Sequence, residues 1–477
     1  MLGSQSRWQE DLFVAGPLRD LIPDDHILRR VDAVLDLSWL RDEVRSLYDA
    51  QNGRPGIDPE AAVRLMLAGL FQGISSDRKL MREAQVNLAM RWFAGYRLHE
   101  KLPDHSSLTR IRQRWGADRF KQIFLKSVQA CGQAGLIDGE TVHIDATLIR
   151  ADVSWESLTQ RHVEKVLAEN DTPEDEPPPD SPKKRRGRPR KQSKPKVKKY
   201  SPTDPDATMT TSCRQYRMEP CFKQHTAVDD RAGVVVDVAV TTGEASEGQQ
   251  LQQQVARIEA NTGETVATVT ADGGYAHGEN FAAFEAAGVD AIMPPQKEKQ
   301  TAVRIPMRRF KYDAKHDVVR CPAKKVLHPS TRTEQGQVYR ARSCDCRACP
   351  MRERCFSATA SSRTIVIGKG YEALLRARRR RRRWSAHEYG LYARHRWRAE
   401  GAHGEAKTQH GLRRAARRGL SNVAIQVYLT AAVMNLKRLA AFYYVWTVIV
   451  TDGAADVYEG GSVYGIINRS RIVRHAA

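Results

Sequence analysis

The sequence predicts an α/β protein, a helical N-terminal region followed by a domain in which short β-branched runs alternate with helix. Three observations point there. Apolar residues early in the chain recur at helical spacing; from Thr141 they gather into strand-like runs; and two of those runs carry or end on an aspartate. The chain has 477 residues, enough for about three domains at roughly 100–200 residues each. Its 41% hydrophobic content supplies a core, which argues against a wholly disordered chain. No run of about 18 uncharged apolar residues occurs. The longest candidate, Leu439 to Val450, is too short and is edged by Lys437 and Arg438. The opening MLGSQSRWQEDLF has no apolar signal core, and eight cysteines do not make a disulfide scaffold. The expectation is a soluble cytoplasmic protein with no membrane partner. A net charge of +21 points to a polyanion, although charge alone does not separate nucleic acid from anionic lipid.

Residues 1–135 read as helical. Asp58-Pro59 is a helix start, a capping carboxylate followed by the residue favoured at the first helical position. Val63, Met66, Leu67 and Leu70 then share one face. A second helix is expected from Ser106 or Ser107 to Gly116, bearing Arg110, Arg112 and Arg114. Short helices with basic turns suit a helix-turn-helix-like DNA reader; a bundle with a solvated basic face is the plainer alternative.

Strands are expected at VHID (142–145), VVVDVAV (234–240), VATVTAD (266–272) and VDAIMPP (289–295), with a helix from Phe281 to Ala287. Between the first two strands, Glu169 to Asp180 is acidic and Pro-rich, and Lys183 to Lys199 is basic and Pro-punctuated. No apolar periodicity survives, so a disordered linker is expected. Within it, Arg186-Gly187-Arg188-Pro189-Arg190 resembles an AT-hook, in which arginines suit a narrow A·T minor groove. A merely phosphate-binding strip is the alternative. A second tract, Arg376 with Arg378 to Arg383, would hold a phosphate backbone beside the motif that follows it.

Three acids stand out by context. Asp145 lies on the first strand, and Asp272 ends another before Gly273-Gly274. Glu400 lies in a helical pattern whose Arg396, Glu400, His403 and Lys407 share one face. Cleaving or transferring a phosphodiester needs an activated oxygen nucleophile and a stabilised leaving oxygen. Two Mg²⁺ ions about 3.5–4 Å apart supply both, and Mg²⁺ takes few carboxylates. A Glu flanked by cations suits a metal ligand beside bound phosphate. Glu405 competes with Glu400 for the third place.

At these residues the chain resembles the DDE-type bacterial insertion-sequence transposases, in the large group related to the IS-four and IS-five elements. HIDATLIRAD carries the first-Asp strand and ADGGY the second-Asp motif. Arg396-x3-Glu400-x6-Lys407 and GLRRAARRGLSNVAIQVYLTAAVMNLKRL carry the C-terminal helix motif. DLIPDDHILRRVD, RLMLAGLFQGISSDRKLMREAQVNLAMRWFAGY and LPDHSSLTRIRQRW are similar to the helical DNA-binding region of these enzymes. SPTDPDA and KQHTAVDDRAGVVVDVAVTTGEASEGQQL match the linking segment and central strands. The resemblance runs from about residue 10 to 440, with the motifs in order. It implies a ribonuclease-H-like core holding two Mg²⁺ (or Mn²⁺) on Asp145, Asp272 and Glu400, with Arg396 and Lys407 on DNA phosphates. It implies nicking at element ends and attack of the freed 3′-hydroxyl on target DNA. Double-stranded DNA, as terminal inverted repeats and target, is then the partner of a homodimer in the nucleoid. Related motifs often place a Tyr three positions before the Arg; here that position is Ala393, and Tyr392 is one residue earlier.

Asp272 and Glu400 stand too far apart in the chain for a simple strand-to-helix link. The insertion between them holds Cys321, Cys344, Cys346, Cys349 and Cys355. Cys321, Cys346, Cys349 and Cys355 would make a closed, structural four-thiolate zinc site, with Cys344 or His328 as substitutes and free thiols as the alternative. The expected organisation is a helical DNA-binding domain (1–135), a first core piece (136–168), the linker (169–206), the central core (207–300), the Cys-containing insertion (301–370), the final core piece with the Glu helix (371–440), and a tail (441–477). The tail opens AFYYVWTVIV, which reads as an extra strand or an extension. Two other functions share these residues: a DNA-binding relic without catalysis, and a metal-dependent DNA nuclease.

Overall fold

The structure is a computed structural model that describes residues 16–49, 56–154, 156, 158–162, 197–211, 217–296 and 305–451. The N-terminal region is helical, with α1 (Ile27–Asp32), α2 (Leu40–Arg45), α3 (Pro59–Phe71), α4 (Asp77–Val86), α5 (Leu88–Phe93) and α6 (His105–Gln133). Asp58 caps α3, its Oδ1 accepting from the backbone N–H of Glu60 at 2.8 Å and of Ala61 at 3.1 Å. Asp104 caps α6 in the same way. Gly116, at φ 70° and ψ 175°, breaks α6 where the sequence ends it. The chain resumes its helix beyond the break because Phe120, Ile123, Phe124 and Val128 keep the apolar repeat going and are buried.

The core sheet contains β1 (Thr141–Arg150), β4 (Thr208–Thr210), β5 (Glu219–Asp229), β6 (Val235–Thr242), β7 (Thr268–Ala271) and β8 (Asp290–Ile292). Strands β6, β5 and β1 are antiparallel neighbours; β7 and then β8 follow on the far side of β1, parallel to it. Helix α7 (Glu247–Thr262) joins β6 to β7, and α8 (Gly278–Ala287) makes the crossover from β7 to β8 that parallel pairing requires. A separate five-stranded antiparallel sheet holds β9 (Lys311–Asp313), β10 (Val318–Arg320), β11 (Val326–Thr333), β12 (Gly336–Ala341) and β13 (Thr364–Ile367). It has its own small core around Val319, Leu327, Tyr339 and Ile365. Short helices α9 (Ser343–Arg347) and α10 (Arg352–Cys355) lie between β12 and β13. Then come α11 (Tyr371–Arg381), α12 (Ala386–His395), a π-helical turn over Arg396–Glu400, α13 (Gly401–Gln409) and α14 (Leu420–Thr451).

Three expectations are revised. The N-terminal helices do not close a core of their own: residues from Leu28 on α1 to Ala440 on α14 share one hydrophobic core. Helix α14 makes this possible, packing against α1, α3 and α6 as well as β6. Of the linker expected over 169–206, the last part is ordered. Strand β3 (Val197–Tyr200) pairs with β2 (Thr159–His162), and Asp204 is buried, accepting from the Gly419 N–H at 3.2 Å. Arg186, Arg188 and Arg190 lie outside the described residues. The AFYYVWTVIV stretch continues α14 rather than adding a strand.

The structure also removes Arg112 from the DNA-contact set. Arg112 is buried, and its two terminal nitrogens donate to Asp77 at 2.8 and 3.0 Å; Arg417 joins the same carboxylate. Burial opposes the charge on Asp77, but the two guanidinium groups hold its carboxyl below the usual range. Asp77→Ala leaves two arginines without their counter-charge and is expected to lower stability by about 3–5 kcal/mol in urea unfolding. Arg110→Ala, at an exposed site on the same helix, should change it by less than about 0.5 kcal/mol.

Candidate active site

Strand alternation fixes the floor of the site. His143, Asp145 and Thr147 share one face of β1, and their cross-strand partners on β5 are Val228, Thr226 and Gln224. The helical segment from α12 to α13 covers this face. His403 Nδ1 lies 3.5 Å from Asp145 Oδ2, and Lys407 Nζ donates to Thr147 Oγ1 at 2.6 Å. Toward the start of β1, His143 Nδ1 meets Thr270 Oγ1 at 2.6 Å, and Thr270 Oγ1 meets His395 Nδ1 at 3.1 Å. The other nitrogen of His143 faces Asp230 at 3.0 Å, and Arg394 pairs with Asp230 at 2.8 Å. This buried polar chain pins α12 to the sheet.

Asp272 follows β7 directly. Because Ile144 registers with Ala271, Asp145 and Asp272 come side by side one step later. The backbone N–H of Gly274 donates to Asp272 Oδ1 at 2.8 Å. A Cβ on Gly274 would stand 2.7 Å from Glu247 Oε2 and 2.9 Å from Asp272 Oδ1, so a side chain there would push both carboxylates aside. Burial raises the Asp272 carboxyl, with Asp145 and Glu247 adding to it and two backbone N–H groups opposing. Burial also opposes the charge on Asp145, but hydrogen bonding and charge from His403 bring its carboxyl below the usual range.

Glu400 sits in the π-helical turn with its side chain 59% exposed, 3.5 Å from Arg396, which is 84% exposed. The four residues expected on one helix face are therefore divided. His403 and Lys407 turn onto the sheet, while Arg396 and Glu400 lie at the solvent edge. The Tyr392 phenol is raised first by burial, with Asp272, Asp145 and Glu400 adding to it and Arg381 opposing. Its ring stacks on His395 at 5.9 Å, so the tyrosine one residue out of register in the sequence packs on the histidine bonded to Thr270. Among the described residues, no three His, Cys, Asp or Glu side chains stand close enough together to hold a metal ion as they are. The donor chemistry fits a divalent cation nonetheless. Asp145 and Asp272 are adjacent carboxylates, and no Lys or Arg pairs with Asp272 among the described residues.

Glu405, the competing candidate for the third acid, is already paired. Lys437 Nζ lies 2.6 Å away, Arg438 3.2 Å and His410 Nε2 3.5 Å, so its charge is already answered. Burial opposes that charge, but the His410 contact and the two cations hold its carboxyl far below the usual range.

Of the basic candidates, Arg110 is exposed, and Arg114 is exposed with its guanidinium 4.6 Å from the Tyr48 ring centroid. In the arginine tract, Arg376 pairs with Glu285 and Arg380 with Asp290 and Glu388, and Arg381 lies over Trp384. Trp384 is a packing residue, buried with Ile292 and Leu391. In the insertion, Cys321, Cys346 and Cys355 pack into one small core. Burial raises the Cys355 thiol, and Cys346, Cys349 and Cys321 each raise it further, so the four sulfurs share a neighbourhood without forming a ligand set. Cys344 and His328 are exposed. The sequence reading missed His143, Thr147, Gln224, Thr270 and His395. The two-residue period of β1 around Asp145 marks His143 and Thr147; nothing in the sequence marks the others.

A family model described as "Transposase domain (DUF772)" matches residues 16–114, and one described as "Transposase DDE domain" matches residues 197–436. No curated protein matches the chain. Two solved structures show distant likeness. The Mos1 transposase paired-end complex with left transposon end has 10% identity and a TM-score of 0.16, over 53% of this chain and 65% of that one. The Mos1 Strand Transfer Complex has 9% identity and a TM-score of 0.16, over 78% and 85%. The chain thus spans just under two thirds of the first of these, and at such scores neither defines the fold.

The ion-pair cluster around Glu405 makes a structural prediction. Glu405→Gln should lower stability at neutral pH by about 3 kcal/mol, read by chemical denaturation. The native carboxyl is depressed, so its contribution is present above the ordinary Glu range and lost as pH falls below about 4.3. The wild-type and variant stability curves should therefore converge in acid.

Proposed function

The chain belongs to the transposase DDE-domain family, and from that premise we propose that Asp145, Asp272 and Glu400 are the carboxylates with which it cuts and joins DNA strands at the ends of an insertion element. The observation that carries this is the parallel β1–β7 register, which brings Asp145 and Asp272 together from distant parts of the chain. The sheet order β6-β5-β1-β7-β8, antiparallel on one side of β1 and parallel on the other, supports a ribonuclease-H-like core.

Asp145 and Asp272 would hold two Mg²⁺, or Mn²⁺ in their place, with Glu400 completing the set. When bound, such ions activate the attacking oxygen and stabilise the leaving oxygen of a phosphodiester. The chain's own residues do the rest. Gly274 fixes Asp272 through its backbone N–H. Arg396 lies at the exposed edge beside Glu400, where it would take a phosphate, whereas Lys407 lies inside the site on Thr147, where it would meet phosphate oxygens close to the acids. Arg110 and Arg114 are the N-terminal contacts with duplex DNA, and Arg186, Arg188 and Arg190 would follow the minor groove. Pairing two element ends calls for a homodimer on DNA. No helix among the described residues is long and apolar enough to cross a membrane; a cytoplasmic, nucleoid-associated protein suits a DNA substrate. Cys321, Cys346, Cys349 and Cys355 are proposed to hold a structural zinc that ties the insertion together without taking part in chemistry.

Cleavage of DNA carrying the element's own ends, in Mg²⁺, tests the assignment. Asp272→Ala should cut at least ~10²-fold more slowly, the scale of losing one electrostatic stabiliser, while binding the ends as wild type does. A variant that cuts like wild type would remove Asp272 from the chemistry. Wild type that binds ends without cutting under any divalent ion would mark a binding relic, and cutting without preference for the ends would mark a nuclease. Elemental analysis of the purified protein should find about one zinc per chain, lost in Cys346→Ser.

A further inference from the structure

A small cavity lies between β5 and helices α13 and α14, and one of its lining residues, His403, also faces Asp145. Its volume is about 10 Å³, the space of one water. Gln224, Thr226 and His403 are among its lining residues. Two of them bring buried polar atoms that have no hydrogen-bond partner in the protein, Gln224 Oε1 and His403 Nε2.

The other contacts of both residues leave these atoms to the cavity. Gln224 Nε2 donates to Thr226 Oγ1 at 2.9 Å, so Oε1 is the amide atom without a partner. His403 Nδ1 lies 3.5 Å from the Asp145 carboxylate, so Nε2 is the ring nitrogen without one. Thr226 lines the same water-sized space, and a single water, able both to donate and to accept, is the partner that fits among these polar groups.

We propose that this cavity binds one structural water bridging His403 Nε2 and Gln224 Oε1, and that His403 is thereby a positioning residue that orients the Asp145 carboxylate. The strand register supports it. Asp145 is opposite Thr226 and Thr147 is opposite Gln224, so the carboxylate and both cavity partners project from one face beneath α13. The chain Gln224–water–His403–Asp145 runs from the packed interior to the site, the outer-shell arrangement that fixes a metal-binding carboxylate. The inference rests on Asp145 being a metal ligand and adds what holds it.

Mn²⁺ binding by calorimetry on the full chain without DNA, read beside end cleavage, tests it. His403→Leu should weaken Mn²⁺ binding about 10–100-fold and lower kcat by a similar factor, with KM for end DNA unchanged. His403→Asn, which keeps an N–H near the Nδ1 position, should recover most of the loss. Two-bond ¹H–¹⁵N spectra should show the His403 proton on Nδ1, and Gln224→Met, which preserves volume but removes the second acceptor, should weaken that preference. His403→Asn and Gln224→Met keep the proposal testable should His403→Leu not fold. Wild-type Mn²⁺ affinity in His403→Leu, or a proton on Nε2, overturns the positioning role. Asp145→Asn separates the two readings: if it too binds Mn²⁺ like wild type, the metal assignment fails; if it loses binding while His403→Leu does not, only the positioning fails.

Discussion

Helix α14 is the constraint on which the rest of the structure depends. From Val423 to Ala440 it is almost entirely buried, and its neighbours come from opposite ends of the chain. Apolar packing alone would let such a helix slide. Asn435 stops it: fully buried, it accepts from the Val235 N–H at 2.9 Å, donates to the Val235 carbonyl at 2.9 Å, and reaches Ser127 Oγ at 3.2 Å. One side chain thus fixes α14 to β6 and α6 together. An amide buried among apolar residues is costly unless every group is paired, so the bonds give one register a strong advantage over its neighbours. Lys437 and Arg438 on the same helix then clamp Glu405, which sets α13 against α14 and so places His403 and Lys407 over β1.

This packing holds two carboxylates side by side in unlike surroundings. Asp145 and Asp272 are forced together by backbone pairing that takes no account of their charge. Their environments then diverge: one carboxyl is lowered by a histidine, while the other is raised by burial and its acidic neighbours. Paired carboxylates driven apart in this way are a frequent mark of functional sites. The exposed Glu400 differs from both. Its π-helical turn lets the inward His403 and the outward Glu400 sit on consecutive turns of one helix segment.

The surplus of positive charge is less available than a count suggests. Arg112 and Arg417 are tied to Asp77, Arg376 and Arg380 to acids on or beside α8, and Arg394 to Asp230. These pairs fasten elements to one another. What remains for a polyanion is a subset at the edges, Arg110 and Arg114 among it with Arg396 beside Glu400, and its position matters more than the net charge.

How much of this could be read from the residues alone depended on whether the signal was local. Helix α3 was legible because Asp58-Pro59 and its apolar face act within a few residues, and the break in α6 because only glycine takes positive φ cheaply. Strands β1, β6, β7 and β8 showed in their β-branched runs, and Asp145, Asp272 and Glu400 in their motifs and order. What the sequence by itself determined was therefore the class of elements and the family resemblance, together with three acids to propose for the site. Which arginines face solvent, that Glu405 is a clasp, that Tyr392 stacks on His395 and that the N-terminal helices share the sheet's core were decided only by the tertiary structure. These facts depend on pairings between residues hundreds of positions apart, such as Asp77 with Arg417 or Val235 with Asn435. No local propensity encodes such pairings; they exist only once burial has brought the partners together and removed water as the competing one.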